Sequence, residues 1–112
     1  MEEFFSTFHF VGKVRRCRFQ DEEKDTVYVF QKGDCYYLGT KKGGLVPVRK
    51  DRYEIMKEEI RERLKNGPIS IGELHLGDSG GNYLYWGFII GLALKEWTIT
   101  GWGRKRIVKL IK

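Results

Sequence analysis

The sequence has 112 residues, 41% of them hydrophobic, with 21 Lys and Arg against 15 Asp and Glu for a formal charge of +6. That composition excludes a disordered tail, and the length excludes a Rossmann fold, a TIM barrel or any large multilayer enzyme. What remains is one small basic folded unit, or two very small modules sharing a core.

Residues 1–50 read as β structure, because their apolar residues are aromatic or β-branched and fall in short runs bounded by turn residues. The first run is residues 7–11. At Gly12 the apolar parity changes, with Phe8 and Phe10 on one face and Cys17 and Phe19 on the other, which predicts a bulge or bend. Residues 21–25 form a charged connection whose adjacent carboxylates read as solvated. Residues 26–30 are the clearest strand. Lys32, Gly33 and Asp34 make a tight turn, residues 35–38 a strand, residues 41–44 another turn and residues 45–48 a fourth strand. The expectation is an antiparallel β-meander, with its aromatic residues forming the core of the sheet.

Residues 51–112 change period. Asp51 and Glu54 have capping-box spacing, and Tyr53, Met56, Ile60 and Leu64 follow at helical spacing until Asn66, Gly67 and Pro68 end the helix. Ser70 and Glu73 repeat the capping signature ahead of a short helix over 71–76, and residues 77–81 are a glycine-rich turn. A third helix is predicted over 82–96, with Leu84, Phe88 and Leu92 along one stripe and Gly87 and Gly91 at a close-packing spacing. Residues 97–100 and 106–111 flank a basic glycine-rich tip and read as a β-hairpin.

The two halves each net +3, but the charge is unevenly spread. From Trp97 to the end there are five cations, Arg104, Lys105, Arg106, Lys109 and Lys112, and no acid. Such a run favours a polyanionic partner, above all nucleic acid. The start of the chain lacks a basic, apolar leader, so a cytoplasmic location is expected. The longest uncharged apolar run is far short of a membrane span, so no membrane partner is expected. Cys17 and Cys35 are distant and outside any C-x-x-C pair; two reduced thiols are the default, pairing only if neighbouring strands set them opposite each other. With isolated His9 and His75, they give no metal site, and no serine or cysteine has a triad around it. No enzyme activity, cofactor or small-molecule ligand is expected.

Helix, short extended segment, short helix, turn, third helix and β-hairpin is an order that resembles the winged helix-turn-helix domain, with residues 66–74 resembling the start of its second helix and residues 83–109 its third helix and wing. The resemblance covers residues 51–112. The fold expectation is therefore α+β: a β module over 1–50, then a three-helix winged-helix unit with a C-terminal hairpin over 51–112, packed as one unit.

The resemblance implies a small regulator of transcription that binds double-stranded DNA, a homodimer being compatible although no heptad marks an interface. Arg104, Lys105, Arg106 and Lys109 on the wing suit phosphate contact, and Ser79, Asn82 and Tyr83 stand where the third helix begins. That helix otherwise departs from the pattern, carrying apolar residues where base-reading side chains belong. Hence the alternative reading, a protein-interaction module that uses its apolar third helix or its aromatic sheet. The aromatic residues with Lys13, Arg15, Arg16 and Arg18 also suggest a stacking platform for single-stranded nucleic acid, set against the plainer reading of a sheet core with a wet basic face.

Overall fold

A computed structural model describes residues 7–41, 43–77 and 84–111. The order of elements is β1 (His9–Arg15), one helical turn α1 (Glu22–Asp25), β2 (Thr26–Lys32), β3 (Cys35–Gly39), β4 (Val46–Arg49), α2 (Lys50–Leu64), β5 (Ile69–Ser70), a 3₁₀ turn (Ile71–Leu74), α3 (Tyr85–Ala93), β6 (Trp97–Thr100), a second 3₁₀ turn (Gly103–Lys105) and β7 (Ile107–Leu110). The chain is mixed α+β. The first four strands form an antiparallel meander in chain order, and the other three a small antiparallel sheet in the order β5-β7-β6.

The meander follows from the period-two pattern, with one correction to which residues face inward. Val14, Val27, Val29, Tyr36, Leu38 and Val48 are buried, whereas Phe8, Phe10, Phe30 and Tyr37 cluster on the opposite face. The expected aromatic sheet core is thus mostly aliphatic, and the largest fully buried rings, Trp97, Tyr53 and Phe88, come from β6, α2 and α3. The parity change at Gly12 is a bulge: Phe10 pairs with Phe30 and Gly12 with Val29, one residue of β1 being unmatched between them. It turns Phe10 outward and Val14 inward on one continuous strand.

In α2 the stripe Tyr53, Met56, Ile60 and Leu64 is buried as the spacing predicts. The capping box is not formed. β4 runs straight into the helix, which starts at Lys50, so Asp51 falls inside the first turn, where it accepts only the neighbouring Arg52 N–H at 2.8 Å and pairs with Arg49 at 3.4 Å. Glu54 instead pairs with Lys57 at 2.9 Å, and the Lys50 N–H donates to the Asp34 carbonyl at 2.9 Å. The helix ends where Gly67 takes a φ of +121° before Pro68. Ser70 stands at the N-cap of the first 3₁₀ turn but makes no side-chain cap.

The third helix is shorter than its apolar run suggests, since Leu94 caps it and Lys95 takes a φ of +61°. It is also buried along its middle, Gly87 to Gly91, with Tyr85, Trp86, Leu92 and Ala93 half-buried. It packs against α2, β1, β2, β3 and β6, and Ile90, opposite the predicted stripe, is as fully buried as Phe88. Gly87 and Gly91 set the approach: a Cβ on Gly87 would lie 2.6 Å from Met56 Cβ, and one on Gly91 2.0 Å from Trp97 Cζ2. The Trp97 indole lies parallel to Phe88 and donates from Nε1 to the Phe88 carbonyl at 3.0 Å. Buried residues from both halves form one core cluster.

Candidate nucleic-acid interface at the hairpin tip

Beyond β1 the chain must reverse before α1, and a buried carboxylate organises the reversal. Asp25, the last residue of α1, is fully buried. Its Oδ2 accepts the Cys17 N–H at 2.8 Å and Arg15 Nε at 3.3 Å, and its Oδ1 accepts the Arg18 and Phe19 N–H groups at 3.0 Å each. Burial by itself would raise the carboxyl pKa, but the three backbone donors and Arg15 together bring it below its ordinary value. The residue read from sequence as one of several solvated acids is therefore an internal counter-charge. Its backbone carbonyl is occupied as well, accepting the Arg16 N–H at 3.1 Å and Arg16 Nε at 3.4 Å. The same guanidinium reaches the Lys24 carbonyl and, at 3.0 Å, the hydroxyl of Tyr85, the first residue of α3.

On this loop sits the tip of the β6–β7 hairpin. The Gly103 N–H donates to the Cys17 carbonyl at 2.9 Å, and Arg106 donates to the Arg16 carbonyl at 2.6 Å from Nη1 and to the Gly103 carbonyl at 2.6 Å from Nε. Burial draws the Arg106 pKa below the ordinary guanidinium value, an effect opposed by Tyr85, Cys17 and Asp25. Two segments some ninety residues apart in sequence thus share one surface. Its centre is an open cleft of about 520 Å³ lined by Arg15, Arg18, Phe19, Gln20, Trp102 and Gly103. The Arg15 guanidinium lies 4.9 Å from the centre of the Trp102 ring, and those of Arg18 and Arg16 lie 5.2 and 5.3 Å from that of Phe19. Both rings are accessible, Trp102 at 52% and Phe19 at 36%.

The residues singled out from sequence divide accordingly. Arg104 and Lys105 are exposed on the 3₁₀ turn directly after Gly103. Arg106 is half-buried and its donors hold the tip to the loop. Lys109 is exposed on β7, on the same side as Ile107. Ser79, Asn82 and Tyr83 lie outside the described residues. Sequence reasoning missed the pairing of the 15–20 loop with the tip, the parts of Gln20 and Trp102, and the role of Asp25. The available signal was Trp102 itself, a large apolar residue held between two glycines at a polar turn.

The arrangement can hold an anion between guanidinium groups and offer aromatic faces beside it. Of the acids that follow in sequence, Asp21 is exposed and caps α1 by accepting the Glu23 N–H at 3.0 Å, and Glu22 and Glu23 line a separate cleft with Lys13, Thr26, Tyr28 and Lys41. Among the described residues no group of three or more His, Cys, Asp or Glu is placed to hold a metal ion, Cys17 and Cys35 are free thiols, and no helix is long and apolar enough to cross a membrane. Compared with models of known families, with curated proteins and with solved structures, the chain shows no significant match.

Proposed function

We propose that the protein binds DNA as a regulator of winged-helix type, holding the phosphate backbone with the cations of the hairpin tip and of the loop beneath it. The observation that carries this reading is the cleft in which Arg15 and Arg18 meet Trp102 and Gly103, with the exposed Arg104 and Lys105 next in the chain, while Asp25, the acid at its base, is buried and fully engaged. Long cationic side chains beside a docked, rigid tip suit phosphate contact, because the backbone beneath them is already ordered before binding. The order α2, β5, α3 and the β6–β7 hairpin supports the winged-helix reading, although the second helix expected over 71–76 is only a four-residue 3₁₀ turn, Ile71–Leu74. Because the middle of α3 is buried and residues 85–93 carry no charged or amide side chain to read bases, the wing takes the main part.

The test is binding of a fluorescent duplex followed by anisotropy across salt. Affinity should fall steeply between 50 and 200 mM salt, and Arg104→Ala with Lys105→Ala should flatten the log–log slope by about two. Binding that ignores salt overturns the reading.

A second reading, a protein-contact surface, is favoured by a different observation. The outer face of the meander exposes Phe10 at 52% and Leu45 at 42%, beside the Phe8, Phe30 and Tyr37 cluster. In this reading the sheet is the contact surface, since the middle of α3 is buried. Duplex binding that survives Phe10→Ser unchanged would separate the two surfaces.

A further inference from the structure

We infer that the cleft between Phe19 and Trp102 takes one unpaired nucleobase, so that the preferred ligand is DNA in which a duplex meets a single-stranded overhang. This rests on the DNA-binding reading and adds to it what the tip recognises. The cleft joins two accessible aromatic rings, the guanidinium groups of Arg15 and Arg18 at 4.9 and 5.2 Å from their centres, and the amide of Gln20. The rings offer stacking to any base, the guanidinium groups offer charge to the phosphates on either side of it, and an amide can both donate to and accept from a base edge.

A base inside a duplex has both faces covered by its neighbours, so neither ring can meet it without disrupting the stack. A phosphate alone would leave the rings idle. An acidic peptide would satisfy the arginines but make no use of the exposed parts of the Trp102 and Phe19 rings. The pocket is also prepared in advance. Asp25 fixes the backbone of Arg18 and Phe19 through their N–H groups, and Cys17 and Arg16 accept the tip that carries Trp102, so little ordering is left for the moment of binding.

The experiment compares a blunt duplex with the same duplex bearing a short thymine overhang, at fixed salt, for the full chain and for Trp102→Leu, Phe19→Leu and Trp102→Phe. These variants keep apolar bulk, and equal melting temperatures will show that they are folded; should Phe19→Leu fail to fold, Trp102→Leu and Trp102→Phe decide the matter. The overhang should raise affinity about tenfold, Trp102→Leu and Phe19→Leu should each bring the overhang-to-blunt ratio down to about one, and Trp102→Phe should retain most of the gain. Equal binding of blunt and overhang DNA overturns the base pocket while leaving the duplex reading standing. No binding of either form at low salt overturns both. A thymidine monophosphate held as tightly as the overhang overturns the assignment to a strand.

Discussion

At the scale of single residues, Asp25 governs the candidate site without facing its ligand. Four donors converge on its two oxygens, and an asparagine could accept with only one oxygen while turning an amide group toward N–H groups that need acceptors. Asp25→Asn should therefore cost about 2–4 kcal/mol, the range for breaking a buried charged network. The pH dependence has a definite sign. A carboxyl whose folded pKa lies below its unfolded one, near 3.9, contributes stability above the unfolded value and loses it as pH falls through the folded one. Melting temperatures of the native chain and Asp25→Asn should differ most at neutral pH and draw together as the pH falls below the ordinary carboxylate range. A gap that does not narrow at all as acid is added would show that the carboxylate charge is not what holds the loop.

At the scale of elements, the decisive packing is α3 against its neighbours. Alanine ordinarily improves a helix interior by about 1 kcal/mol over glycine. At Gly91 the added methyl would strike the rigid indole of Trp97, whose Cζ2, Cε2 and Cη2 atoms stand 2.0, 2.4 and 2.5 Å from the Cβ position. Gly91→Ala should thus destabilise by about 2–3 kcal/mol net and change the near-ultraviolet dichroism of Trp97, whereas Gly72→Ala, with nothing within 4 Å, should be close to neutral. Urea melts of the two variants check this directly. The strands and the long helix were readable because local periodicity alone decides them, and even the bulge at Gly12 showed as a change of parity. The burial of α3 was harder to read. A stripe of Leu84, Phe88 and Leu92 predicts one buried face, yet Leu92 is only half-buried while Gly87, Ile89, Ile90 and Gly91 are buried off the stripe, and with no charge in residues 85–93 no polar face tells the buried sides from the half-buried Tyr85, Trp86 and Ala93. The capping box failed because spacing within Asp51–Glu54 cannot reveal that β4 enters the helix directly. In the candidate site the acid-free run pointed to Arg104 and Lys105. Asp25 was illegible among its acidic neighbours, because only the reversal after β1, a long-range feature, takes it out of water.

For the whole molecule, the two halves distinguished in the sequence should not be stable apart. Val14, Val27, Val29, Tyr36, Leu38 and Val48 of the meander share a single core with Tyr53, Met56 and Ile60 of α2, with Phe88, Ile89 and Ile90 of α3 and with Trp97. Taking away residues 1–50 would expose the side of α3 that packs on β1, β2 and β3, and would also remove the Cys17 and Arg16 carbonyls to which the hairpin tip is fastened. What is left lies at the size where a core only marginally offsets the entropy of ordering the chain, and here that core would be open on one side. A fragment of residues 51–112 should therefore retain some helical dichroism from α2, lack a cooperative thermal transition, and bind a hydrophobic dye, whereas the full chain should unfold in one step. The same fragment keeps Arg104, Lys105 and Trp102 in its sequence but loses Arg15, Arg18 and Phe19 and the seat of the tip, so its salt-dependent DNA binding should be weaker and its preference for an overhang absent. A fragment that melts cooperatively and still distinguishes overhang from blunt duplex would mean that the hairpin alone builds the site and that the meander serves another purpose.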